Sequence, residues 1–236
     1  IMSKICPIDG SHKLYVDCME CDVRKECKRG ELKLKKANQI VIGIDQSYKN
    51  TGVSIAADGK LLRVSNIDLT ESGDKTWKRR EIRKRLDKLL MQADSKSKNK
   101  PIVVIERIRM FSKNFISIDY IKQIGALDSV IVDTAWKHGM ETYSVDTRAW
   151  KAAVLGTSKP AENEFGVPPE KWPCVEWIIK NGFEKSVKKV VEGRRMKGCF
   201  FDKNGDKYEY DNDACDSAGI AMSWFCCTPD KFEREV

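Results

Sequence analysis

The chain has 236 residues, 41% of them apolar, enough for one principal core and an appendage of roughly 40 residues. No run of about 18 uncharged apolar residues occurs and the N-terminal region is studded with charge, so neither a membrane span nor a signal peptide is expected, and a cytoplasmic protein is, in a bacterial cell or in a host cell for a viral chain. Forty-three Lys and Arg against 35 Asp and Glu leave a formal charge of +8, which favours a polyanionic partner, and 9 Cys without an export signal argue against a disulfide framework.

Four cysteines, Cys6, Cys18, Cys21 and Cys27, fall in a segment rich in Pro, Gly, Asp and Lys and poor in large apolar residues. Such a segment cannot build a core of its own. The Cys18-x-x-Cys21 knuckle places two thiolates on one ion; Cys6 and Cys27 complete a tetrahedral Zn²⁺ site, or His12 replaces one of them. An iron–sulfur cluster and unliganded thiols are the competing readings. The predicted division is a Cys-rich zinc-binding module with a basic linker over 1–36, then a main domain over 37–236 with an insertion at about 156–211. Cys174, Cys199, Cys215, Cys226 and Cys227 show no ligand spacing and are assigned to packing.

The main domain opens with Ile40 to Asp45, an apolar run ending on a carboxylate, which predicts a buried strand. Thr51 to Ala57 and Lys60 to Asn66 flank Asp58-Gly59, a preferred hairpin turn, so three successive antiparallel strands are expected. Ile82, Leu86, Leu89 and Leu90 have helical spacing and predict a helix from Lys75 to Met91, followed by a polar loop from Asp94 to Lys100. Ile102 to Glu106 is a second buried strand ending in an acid. From Ser117 to His138 the apolar positions surround the helix almost completely, which predicts cover on two sides: the sheet and a second subunit, that is, a homodimer. Glu141 to Val145 gives a fifth strand and Thr147 to Leu155 a short helix. Between Gly156 and Tyr210 lie a Pro-rich loop, a helix near Glu170 to Lys180, a basic stretch and a hairpin turning at Asn204-Gly205; the last predicted element is a helix from Asn212 to Phe225.

This order is that of an α/β chain with an RNase H-like mixed five-stranded sheet flanked by helices. Neighbouring strand ends would bring Asp45 and Glu106 to one edge of the sheet. Asp213 and Asp216, at i and i+3 on the last helix, share a face. Taken singly, each acid reads first as a turn residue or a helix cap, and Asp211 is a bystander or a substitute for Asp213. Four acids at one place repel one another unless cations lie between them. Two Mg²⁺ (or Mn²⁺) ions about 3.5–4 Å apart are the usual answer where a phosphodiester is cut.

The run Ile42-Gly43-Ile44-Asp45-Gln46-Ser47-Tyr48-Lys49-Asn50-Thr51-Gly52 resembles the opening motif of RuvC-type Holliday junction resolvases. Glu106 at the end of Val103-Val104-Ile105-Glu106 matches that family's second acid. Phe111 and Lys122-Gln123-Ile124-Gly125-Ala126 resemble the approach to its dimerising helix, and Trp150-Lys151-Ala152-Ala153-Val154-Leu155-Gly156 its basic motif. Asp213-Ala214-Cys215-Asp216 resembles its C-terminal Asp-x-x-Asp helix. The likeness spans residues 40 to 226. Gln46-Ser47 stands where the family usually has Pro-Gly; with the longer 156–211 region and the Cys module, this marks a divergent member, of phage or mobile-element type.

The resemblance implies a structure-selective endodeoxyribonuclease that resolves four-way junctions, with Asp45, Glu106, Asp213 and Asp216 holding two Mg²⁺ and Lys151 at the metal edge. Arg107, Arg109 and Lys113 surround Phe111, which is placed to stack on or wedge between bases at a branch, or else to plug the core. Lys78, Arg79, Arg80, Arg83, Lys84, Arg85 and Lys88 form the densest basic run, either a DNA contact through Lys78 and Arg79 or a solvated helix face. The rival readings are a nuclease for other branched DNA or RNA, and a non-catalytic nucleic-acid-binding scaffold. Retention of four mutually repelling acids argues against the scaffold.

Overall fold

The computed structural model describes residues 36–69, 73–107, 118–163, 168–181 and 211–235 with side chains, and the backbone of short strands at 3–5, 12–14, 199–201 and 207–209. The chain divides into two compact units, Ile1–Leu34 and Lys35–Val236. In the first, β1 (Ser3–Ile5) and β2 (His12–Leu14) pair antiparallel. Cys6, Cys18, Cys21, Cys27 and the His12 side chain, and with them the expected zinc site, lie outside the described residues.

In the second unit, β3 (Ile40–Asp45) is the central strand because all but its last residue is buried. It pairs antiparallel with β4 (Asn50–Ala57), which is buried throughout, and β4 pairs with β5 (Lys60–Asp68). Asp58 (φ 49°) and Gly59 (φ 76°) make the left-handed turn that their sequence predicts. On the other side β3 lies parallel to β6 (Ile102–Glu106), and β6 parallel to β7 (Glu141–Val145). The short strands β8 (Cys199–Phe201) and β9 (Lys207–Glu209) pair antiparallel where the hairpin is expected; its turn residues lie outside the described ones.

The sheet has six strands, not five. The sixth, β10 (Phe232–Glu235), runs antiparallel along β7 at the edge. Three of its four residues are charged, so it has no apolar alternation to announce it. Its place comes from tertiary contacts: Phe232 lies 4.9 Å from the Trp224 ring, and Arg234 pairs with Glu141 at 2.6 Å.

Helix α1 (Lys75–Lys96) starts at Asp74, whose carboxylate accepts from Trp77 N–H, and continues past the predicted end into the first three residues of the expected loop. Ala93 keeps the buried row Ile82, Leu86, Leu90 going, so the core holds one more turn. Helix α2 (Ile118–Lys137) buries one side against the core and leaves the other open in the single chain, as a side meant for a second subunit must be. Ile124, Leu127, Val130, Ile131, Thr134 and Ala135 are buried, while Lys122, Gly125, Ser129 and Asp133 are exposed. Val130 is 9% exposed and faces the core. The outward apolar residues are Ile118, Tyr120 and Trp136.

Helices α3 (Thr147–Leu155), α4 (Trp172–Lys180) and α5 (Asn212–Cys226) cover one sheet face, packing Trp150, Val175, Ile178, Ala214 and Ala218 on Val41, Val104 and Val145. Strand alternation turns Ile40, Ile42 and Ile44 to the other face, left to α1 and α2, which pack on each other. Cys174 and Cys215 are buried as packing requires; Cys226 is exposed, contrary to expectation, and the side chain of Cys199 is not described. Among the described residues no helix is long and apolar enough to cross a membrane.

Candidate active site

Register brings the first two acids together. Ile44 pairs with Ile105 and Glu106 with Val145, so Asp45 and Glu106 leave adjacent parallel strands at the same carboxyl edge. Alternation puts Asp45 on the face of Gly43, and Gly43 is where α5 rests. A Cβ on Gly43 would collide with the backbone of Ser217 and Ala221, and one on Gly52 with the backbone of Asp213. The two glycines therefore let α5 lie on the strands with almost no gap. Ser54 and Ser217 complete the seat, hydroxyl to hydroxyl at 2.7 Å. Its first turns then carry Asp213 and Asp216 to the edge where Asp45 stands.

The electrostatics agree with that placement. Burial pushes the Asp45 carboxyl well above the usual carboxylate range, and Asp216, Asp213 and Glu106 add to the shift while Lys171 opposes it. Glu106 is also raised, by burial first, against a hydrogen bond from the Thr147 hydroxyl; Asp216 adds, and Lys151 and Lys171 oppose. Lys171 lies just ahead of α4, with Nζ 3.6 Å from Asp216 Oδ2. Its own burial disfavours the ammonium, yet Asp216, Asp45, Asp213 and Glu106 together raise its pKa. One cation thus answers to all four predicted acids.

The acids are held unequally. Gln46 clasps Glu106 by its main chain: Gln46 Nε2 donates to Glu106 O at 2.7 Å, and Glu106 N–H donates to Gln46 Oε1 at 3.4 Å. A carboxamide here continues the β3–β6 ladder one step beyond its last backbone pair. Asn50 Nδ2 donates to both Asp211 oxygens at 2.7 and 2.8 Å and to Asp213 Oδ2 at 3.0 Å. Asn66 donates to Asn50 Oδ1 at 2.6 Å and also to Asp211. Asp211 caps α5, accepting from Ala214 N–H at 3.2 Å. Its oxygens are engaged by that cap and by Asn50 and Asn66.

All four acids offer hard oxygen donors, and Asp216 Oδ1 is buried with no hydrogen-bond partner among the described residues, which suits Mg²⁺ or Mn²⁺. Among those residues, however, no three His, Cys, Asp or Glu side chains are drawn together tightly enough to hold an ion. The backbone brings the acids within electrostatic reach of one another, and the side chains stop short of a closed ligand set.

Of the predicted basic residues, Lys151 sits 5.3 Å from the Trp150 ring centroid, near enough to Glu106 to lower its pKa. Arg107 pairs with Glu233 of β10 at 3.0 Å, and its N–H donates to Val145 O at 2.8 Å. Lys78 and Arg79 stand half-buried in the first turns of α1. Arg109, Phe111 and Lys113 lie outside the described residues. Sequence reasoning missed Lys171, Thr147, Gln46 and Asn50. Thr147 was legible, as the hydroxyl next to a strand end beside Glu106; Lys171 was not, because only the path of the chain after α3 brings it to Asp216.

No family model matches the chain, and no curated protein matches it. Solved structures do. The Thermus thermophilus RuvC structure aligns with a TM-score of 0.52 and 14% identity, over 83% of this chain and 99% of that one. T. thermophilus RuvC in complex with Holliday junction substrate aligns at 0.48 and 13%, over 79% and 92%. The yeast mitochondrial Holliday junction resolvase Ydc2 aligns at 0.43 and 16%, over 81% and 78%. What the first of these shares with this chain is the fold, a mixed sheet flanked by helices in the RNase H-like arrangement of RuvC.

Proposed function

We propose that the unit Lys35–Val236 is a divalent-metal-dependent endodeoxyribonuclease that resolves four-way DNA junctions. What carries this reading is the placement of Asp45 and Glu106 on adjacent strand ends, with α5, which bears Asp213 and Asp216, seated against Gly43 and Gly52 and Lys171 lying 3.6 Å from Asp216. These four carboxylates would hold the ions. When bound, two Mg²⁺ or Mn²⁺ ions supply the positive charge that stabilises the transition state at the scissile phosphate.

The protein's own residues prepare that place. Gln46 and Thr147 fix Glu106 from its backbone and its carboxylate, and Asn50 fixes Asp213. Lys171 pairs with Asp216 and sets one positive charge among the acids, and Lys151 stands on the Glu106 side to meet phosphate charge. Lys78, Arg79, Arg107, Arg109 and Lys113 are assigned to phosphates and Phe111 to the branch point. Arg107 exchanges Glu233 for phosphate in this reading. Junction selectivity rests on the ordered RuvC-type motifs between residues 40 and 226.

The test is to incubate the purified protein in Mg²⁺ with labelled four-way junction, linear duplex and RNA–DNA hybrid. Paired symmetric nicks in the junction alone are expected. Asp45→Asn, which keeps the size and removes the charge an ion needs, should lower cleavage at least about a thousandfold while binding persists. Cutting of the hybrid but not the junction would move the reading to an RNA-directed nuclease. Wild-type cleavage by Asp45→Asn would refute the carboxylate site.

A further inference from the structure

On the sheet face away from α5, helices α1 and α2 enclose a cleft of about 470 Å³ that no part of the acid site uses. It is lined by Arg80, Arg83, Lys84 and Lys137 together with Asp87 and Asp133. Both acids are already engaged. Asp87 Oδ1 takes Lys137 Nζ at 2.8 Å and His138 Nε2 at 3.0 Å, and Asp133 takes Arg83 at 3.6 Å. Arg80 and Lys84 are exposed and have no carboxylate at ion-pair distance among the described residues.

The two cations stand at i and i+4 on α1, on one face and about 6 Å apart at Cβ, a spacing that lets them reach neighbouring phosphates of one strand. The remaining lining residue is Thr134, so no aromatic or aliphatic side chain lines the cleft to receive a base or a sugar ring. Recognition there is by charge and hydrogen bonds alone. That chemistry selects a phosphodiester backbone over a nucleotide, whose base would find no stacking partner.

We infer that the α1–α2 cleft is a second DNA-backbone site, separate from the carboxylate edge. Helix α2 starts beyond the carboxyl end of β6, the acid edge, and ends at Lys137, just before β7 begins at the opposite edge. Asp133, the first α2 residue of the cleft, lies 15 residues into that helix, about 22 Å along it from the acid edge, which separates this side of the cleft from the acids. The inference goes beyond the nuclease reading and rests on charge placement, not on cleavage.

The experiment is fluorescence anisotropy with a fluorescein-labelled linear duplex, in EDTA, across a series of salt concentrations. Arg80→Ala with Lys84→Ala should weaken binding and reduce the slope of log K against log salt by about 2, one phosphate for each cation removed. Lys36→Ala with Lys60→Ala removes the same charge from exposed positions elsewhere and should leave the slope within about half a unit of wild type. An unchanged slope in the Arg80/Lys84 variant, or an equal fall in the Lys36/Lys60 variant, would overturn the assignment. Because no divalent ion is present, the outcome is independent of whether Asp45→Asn abolishes cutting.

Discussion

Asp128 shows what a single carboxyl does when it is taken from water without a partner. It sits on α2 with Oδ1 buried and unbonded among the described residues, and burial, helped by Glu235 of β10, raises its pKa from 3.8 to about 7. A carboxyl raised in the folded state costs stability when ionised. That cost is absent below the ordinary value of 3.8, grows as pH rises, and is complete above about 7. Asp128→Asn should therefore match wild type near the lower limit and exceed it at alkaline pH by roughly 1–3 kcal/mol, read from urea unfolding at several pH values. Equal differences at all pH values would show that Asp128 is not the titrating group. Asp45 obeys the same sign with a different remedy, since its three carboxylate neighbours can be answered by cations.

At the scale of elements, the site depends on how closely one helix lies on two strands. Gly43 and Gly52 have no room for a methyl group because backbone atoms of α5 occupy it. Gly52→Ala must push Asp213 away, so a loss of about 1–3 kcal/mol by thermal or chemical unfolding is expected, with weaker divalent-ion binding by calorimetry. Gly125→Ala is the matching control. It lies on the exposed side of α2 with nothing within 4 Å of the added methyl, and removing a helical glycine should stabilise by about 0.5–1 kcal/mol. If Gly52→Ala is neutral, α5 is not seated through that contact. The outward side chains of α2 define another elemental test. We propose the homodimer through Ile118, Tyr120 and Trp136, not through Val130, which is in the core. Trp136→Glu should then give monomers by light scattering with an unchanged circular dichroism spectrum; a monomeric wild type at micromolar concentration would reject the dimer.

The whole molecule is two units with different grounds for folding. Lys35–Val236 has a continuous apolar core on a six-stranded sheet. The four thiols in Ile1–Leu34 occur where large apolar residues are few, and we propose that Zn²⁺ supplies the folding energy there. About one Zn²⁺ per chain is expected by elemental analysis. Cys18→Ser with Cys21→Ser should release it and expose the first unit to protease while the second stays intact. Native protein without metal and with a protease-resistant N-terminus would end that proposal.

Local pattern was sufficient for much of this protein. Apolar runs gave β3, β6 and β7, the Asp58-Gly59 turn gave the β4–β5 hairpin, and helical spacing gave α1, α3 and α5, because each is written in neighbouring residues. The same pattern picked out Asp45, Glu106, Asp213 and Asp216 as acids for one edge. Three things were decided only by tertiary structure. Strand β10 has too few apolar residues to signal itself and exists because β7 offers an open edge. Which side of helix α2 meets the core was settled by packing, because apolar residues nearly all round a helix do not say which side the sheet will take. Lys171 came to Asp216 across 45 residues of chain, with Gln46 and Thr147 closing on Glu106, because contacts between distant segments are set by the packed core and leave no periodic trace in sequence.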